Sequence, residues 1–83
     1  MIQYKGGDGS SKEESVVILG AANETEGIAA EYNWVEEKYG NQNISWELNF
    51  QGLVDEGNKQ YDILRIKLPT GEVNEIWFDI TDY

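Results

Sequence analysis

The stretch Asn23-Glu24-Thr25-Glu26-Gly27-Ile28-Ala29-Ala30-Glu31-Tyr32-Asn33-Trp34-Val35-Glu36-Glu37-Lys38-Tyr39-Gly40 decides the fold. Asn23 is placed to cap a helix, and Glu26, three residues on, completes a capping box. Glu24 and Glu26 add negative charge where the helix dipole favours it. Ile28, Tyr32, Val35 and Tyr39 then recur at spacings of four, three and four. That spacing predicts an amphipathic helix from Glu24 to Tyr39 with those side chains turned to a core. Gly40 reads as its left-handed stop, before the loop-forming Asn41-Gln42-Asn43. Gly27, in the first turn, reads as a point of close packing. Trp34 departs from the pattern, lying about 120–130° from the centre of the stripe. It is either covered by another segment, such as the N-terminal arm, or a contact residue.

Beyond Gly40 the period changes from helix to strand. Ile44, Trp46, Leu48 and Phe50 alternate with polar residues, as do Leu64, Ile66 and Leu68, and then Ile76, Phe78 and Ile80. The expectation is a three-stranded antiparallel meander with its even-numbered residues under the helix. Asp55-Glu56-Gly57 and Pro69-Thr70-Gly71 both read as three-residue hairpins closed by a left-handed glycine. Closing them so pairs Val54 with Asn58 and Leu68 with Glu72. That register lays Leu48, Leu64 and Ile76 side by side, with Glu47, Arg65 and Glu75 aligned on the other face. It also puts Asp62 on the core face between Phe50 and Phe78, where burial of a carboxylate is costly. A place at the frayed start of its strand, near the rim, is the expectation for Asp62. Tyr61, Ile63 and Trp77 gather on the outer face, which one helix cannot cover.

Before the helix, Val16-Val17-Ile18-Leu19 is an apolar run with the character of a strand buried on both faces. Residues 1–15 read as an N-terminal arm and residues 16–83 as a single domain. Ile2 and Tyr4 suffice for a short strand at most. Gly6-Gly7-Asp8-Gly9-Ser10-Ser11 has neither the spacing of a phosphate loop nor the alternating acids and closing glutamate of a calcium loop. Ser11 and Glu14 instead form a second capping-box pattern.

The fold class is therefore α+β: one amphipathic helix packed on a three-stranded antiparallel meander, with a short additional N-terminal strand. Composition narrows function by exclusion. The chain has 83 residues, sixteen acids against six bases, a formal charge of −10, no cysteine and no histidine. The commonest general base, the commonest metal ligand and all thiolate chemistry are thus missing. Nothing organises the remaining carboxylates, tyrosines, serines and lysines into a catalytic motif, so no catalytic, cofactor-binding or metal residue is expected. An acidic surface disfavours nucleic acid and anionic membrane and favours a basic partner, if it favours any. With no apolar run long enough to span a membrane and no signal-like start, a cytoplasmic protein is expected.

The run Gly6-Gly7-Asp8-Gly9-Ser10-Ser11 through Glu13-Glu14, the apolar Val16 to Gly20, and Asn23-x-x-Glu26-Gly27-Ile28-x-Ala30-Glu31-Tyr32 resemble a family of small uncharacterised bacterial proteins. The closing Ile76-Trp77-Phe78-Asp79-Ile80-Thr81 is similar too, so the likeness spans most of the chain. It implies a bacterial origin and a self-contained domain, and brings no activity or site residues.

What the residues support is a small acidic interaction domain, not an enzyme. Trp34, Tyr61, Ile63 and Trp77 are the candidate contact residues, for a protein partner or a second copy of the chain. No small-molecule ligand and no cofactor are implied. An immunity-like or inhibitor protein that neutralises a basic partner is the sharpest version. A nucleic-acid mimic and an enzyme rank below it, the mimic because Glu24, Glu31 and Glu37 spread around the helix.

Overall fold

The computed structural model describes residues 1–82. It is an α+β fold of one helix and a five-stranded mixed sheet. In chain order the elements are β1 (Gln3–Gly6), β2 (Val16–Leu19), α1 (Glu24–Tyr39), β3 (Glu47–Asp55), β4 (Gln60–Lys67) and β5 (Val73–Asp79). Across the sheet they run β1-β2-β5-β4-β3. The β3-β4-β5 meander is antiparallel, and β2 lies parallel to β5 through Val16↔Phe78 and Val17↔Asp79. The sheet has one strand more than the sequence pattern predicts, because part of the N-terminal arm is in it. Gln3–Gly6 pairs antiparallel with β2 as an edge strand.

The helix has the expected limits, and its caps explain them. The Asn23 side chain accepts from the Glu26 N–H at 2.9 Å. Glu26 returns the bond one residue earlier than a standard capping box, accepting from the Ala22 N–H at 3.1 Å. Gly40 stops the helix at φ 105°, its N–H donating to the Glu36 carbonyl at 2.9 Å.

The buried face of α1 differs from the expected stripe. Gly27, Ala30, Glu31 and Val35 are buried, while Ile28 is exposed. The helix is thus turned by about 100°, one residue's rotation, from the Ile28–Tyr39 stripe. Two physical reasons are visible. Tyr32 and Tyr39 carry hydroxyls and settle half-buried at the flank, where Tyr32 meets the Gln51 side chain at 3.4 Å. Trp34 takes the inward place instead, its ring 5.7 Å from Phe78 in an edge-to-face contact. Glu31 is fully buried in this interface. Burial, then the charges of Glu31 and Asp62, raise the Tyr32 pKa above its ordinary value.

Register between β4 and β5 follows the turn as read. Leu64↔Ile76 and Arg65↔Glu75 pair, and Leu68 N–H donates to the Glu72 carbonyl at 2.8 Å. The β3–β4 register does not. The connection there runs from Glu56 to Lys59, so Asp55 pairs with Gln60 and Val54 with Tyr61, not with Asn58. Leu48 accordingly sits beside Ile66, with Glu47 opposite Lys67. A bulge between Leu48 and Phe50 then inserts one residue and reverses the faces of the strand beyond it. Phe50 therefore faces away from the helix, opposite Arg65, and Leu53 falls opposite Asp62. The even-inward rule holds for β4 and β5 and for Trp46 and Leu48, and fails from Phe50 on. An edge strand tolerates the inserted residue because only one neighbour must be matched.

The core lies between the helix and one sheet face. Val16, Ile18, Val35, Trp46, Leu64, Ile66, Ile76 and Phe78 fill it. Val16 and Ile18 are buried whereas Val17 and Leu19 are half-buried, so β2 has an inner and an outer side, not two buried faces.

The loop between β1 and β2 docks on the edge of β5 just ahead of the start of β2. Trp77 N–H donates to the Gly9 carbonyl at 2.8 Å, and Lys38 Nζ donates to the Asp8 carbonyl at 3.4 Å. Gly9 adopts φ +83°, and a Cβ there would meet Ile76 Cγ2 at 2.8 Å, so only glycine lets the loop come this close. Ser11–Glu14 forms the single turn its capping box implies, Ser11 Oγ accepting from the Glu14 N–H at 3.2 Å.

Candidate interaction surface

The helix packs on one face of the sheet, and the other carries a run of apolar side chains. Strand alternation and register place them in rows. Val54, Tyr61, Asp79 and Val17 form one row. Gly52, Ile63 and Trp77 form the next, followed by Phe50, Arg65 and Glu75, then Glu47, Lys67 and Val73. Ile63, Trp77, Val17 and Leu19 are half-buried, and Phe50 and Val73 remain close to half exposed at 48% and 47%. Isolated exposed apolar residues are ordinary on a protein surface, whereas these adjoin one another on a single sheet face.

Of the four contact residues expected from sequence, three come together. Tyr61 and Trp77 meet edge to face, ring centroids 5.9 Å apart, and Ile63 pairs directly with Trp77. Trp34 lies on the opposite side of the sheet against Phe78, with the Lys38 ammonium 5.0 Å from its ring. It belongs to the core layer and not to this surface. Phe50 replaces it on the patch, a residue that uninterrupted alternation places under the helix. The signal for it was present: the even apolar pattern breaks at Leu53, and Gly52 is a common mark of a bulged or kinked strand. A Cβ on Gly52 would meet Phe50 Cε2 at 2.7 Å, so the phenyl ring folds back over the glycine. The Arg65 guanidinium lies over the ring, 5.0 Å from its centroid.

Charges border the patch. Arg65 holds Glu75 through Nη2 at 2.6 Å and Nε at 3.2 Å. Lys12, from the β1–β2 loop, reaches Glu56 in the β3–β4 turn at 2.8 Å. The hydrogen bond to Glu56 is the main cause of a raised Lys12 pKa, with Glu13 and Tyr61 adding smaller contributions. One arm of the β1–β2 loop thus passes the Tyr61 end of the patch, consistent with Tyr61 being only 6% exposed. Asp79 is tied up structurally: it accepts from Thr81 N–H and Oγ1 at 3.0 and 2.6 Å and pairs with Lys59 at 3.5 Å.

On the helix side, Asp62 is 8% exposed, opposite Phe78 and Leu53. Tyr32 lies close enough to feel the charges of both Asp62 and Glu31. Among the described residues no group of three or more acidic side chains could hold a metal, and no helix is long and apolar enough to cross a membrane. No protein-family model, characterised protein or solved structure matches the chain.

Proposed function

We propose that this chain is a small acidic interaction domain that works by binding, and that the helix-free face of its sheet is the contact surface. The observation that carries this is the adjacency of Phe50, Ile63 and Trp77 on that face, beside the Tyr61–Trp77 aromatic pair. A large aromatic centre with a charged border is the usual construction of an interface hot spot. The formal charge of −10 favours a basic protein over a second copy, since two such chains repel. Steering by opposite charge gives fast association that salt weakens, whereas self-association would strengthen as salt screens the repulsion. A protein that neutralises a basic partner fits this surface.

The test is capture of a bacterial partner by wild type, Trp77→Ala and Ile44→Ala across a salt series. Ile44 is 76% exposed, outside the five strands, and serves as the control. The expected result is a basic partner released by salt, retained by Ile44→Ala and weakened at least about tenfold by Trp77→Ala, as for a hot-spot residue. Equal binding by both variants, or a complex that tightens with salt, contradicts the reading.

A further inference from the structure

We infer that the groove between β1 and α1 is a second docking site, for an extended segment of a partner protein carrying lysine or arginine at every fourth residue. It lies on the helix side of the sheet and stands independently of the helix-free face. Three features converge on it. First, β1 ends the sheet, so its outer edge presents main-chain donors and acceptors to which another strand can add. Second, a groove of about 560 Å³ runs between that strand and the helix. Ile2, Ala29 and Ala30 supply apolar wall and floor. Third, its polar rim is acidic: Glu26 near one end, Glu36 and Glu37 near the other.

The groove is held open by a fixed contact. The Tyr4 hydroxyl donates to the Ala30 carbonyl at 2.7 Å, tying the strand to the helix at a set distance. Burial, and then Glu37, raise the Tyr4 pKa, so the phenol stays a neutral donor.

Geometry sets the ligand pattern. Ten helical residues separate Glu26 from Glu36, about 15 Å along the axis at 1.5 Å per residue. Four residues of an extended strand span about 13 Å, and residues two apart share a face. A strand added to β1 can therefore set two basic side chains, four residues apart, against the two acidic ends. A small apolar side chain midway between them meets Ala29 and Ile2. The occupant follows from charge: another copy of this chain brings its own −10, whereas a basic segment is attracted.

The probe is the dye-labelled, end-blocked peptide Thr-Lys-Thr-Val-Thr-Lys-Thr, followed by fluorescence anisotropy against the whole chain. Two further probes carry backbone N-methyl groups, one on Lys, Val and Lys, the other on the three threonines that follow them. In an added strand only alternate N–H groups face the neighbour, so one methylated probe loses binding and the other keeps it. Amide shifts on titration with the parent probe fall on Gln3–Gly6 and on the Glu26–Glu37 part of α1. The triple variant Glu26→Gln, Glu36→Gln, Glu37→Gln weakens binding by about tenfold or more, from loss of exposed charge pairs. All three side chains are exposed, and glutamine at position 26 keeps an acceptor for the Ala22 N–H, so the fold is retained. Equal binding by the two methylated probes reduces the effect to general attraction between a cation and an acidic protein, and overturns the inference. So does absence of binding by the parent probe at millimolar concentration, or an unchanged affinity in the triple variant.

Discussion

Leu64→Ala is expected to destabilise the domain by about 2–5 kcal/mol, read as a lower urea midpoint with little change in slope. Leu64 is fully buried on β4, beside Ile76 in the register. Removing its branched end leaves a cavity in the core between helix and sheet, and a domain this small cannot close it by moving a second layer inward. Total stability of such domains is about 5–15 kcal/mol, so the loss is a large share of it. Lys67→Ala, three residues along the same strand and on the outer face, is the control. It is exposed, and the change should fall within about 0.5 kcal/mol. Equal losses at the two sites would mean that the inner and outer faces of β4 are wrongly assigned.

Trp46→Ala should be as damaging, about 3–5 kcal/mol, for a different reason. Trp46 is the largest fully buried side chain and sits at the junction of helix and sheet. Its indole N–H donates to the Gly40 carbonyl at 2.8 Å, and its ring lies 6.2 Å from that of Tyr32. The segment between is stitched by its own backbone, Asn43 N–H donating to the Trp46 carbonyl at 2.6 Å and Ser45 N–H to the Asn41 carbonyl at 2.8 Å. The tryptophan thus fixes how the helix end is handed to the sheet. Trp46→Phe separates the two contributions, keeping an aromatic ring while leaving the Gly40 carbonyl without this donor. That variant should lose about 1–3 kcal/mol, and loss of near-ultraviolet ellipticity ahead of helix content would locate the damage at the junction. A Trp46→Phe loss equal to that of Trp46→Ala would mean that the hydrogen bond, not the packing, dominates.

Local chemistry made several elements legible before any coordinates. Helix limits follow from Asn23 and Gly40, because capping acts within a few residues of the chain. The β4–β5 hairpin follows from Pro69-Thr70-Gly71 for the same reason. Three features escaped. The Glu56–Lys59 connection is longer than the reading of Asp55-Glu56-Gly57 allows, and together with the bulge it moves Phe50 to the outer face. Both are decided by how an edge strand settles against its single neighbour; Gly52 and the break at Leu53 mark the place of the bulge but not its outcome. The rotation of α1 escaped for a related reason. Apolar periodicity weighs Ile28 and Tyr39 equally with Trp34, whereas packing rewards the ring that reaches Phe78 and leaves tyrosine hydroxyls at the rim. Of the contact residues, Tyr61, Ile63 and Trp77 were legible through strand parity alone. For Trp34 the sequence allows either cover or contact, and packing against Phe78 selects cover, whereas the bulge hides Phe50.

On the proposed reading, the helix-free face around Ile63 meets another protein and is not closed over by the chain itself. A photo-crosslinking residue placed at Ile63 reports on this in cells, with Glu24 at the exposed helix start as the reference site. The account predicts a discrete adduct between the Ile63 probe and a second, basic polypeptide, absent from the Glu24 probe and reduced by Trp77→Ala. Adducts confined to the chain's own Gly7–Glu14 loop, with none to another protein, would show that the loop closes over the face and would contradict the account.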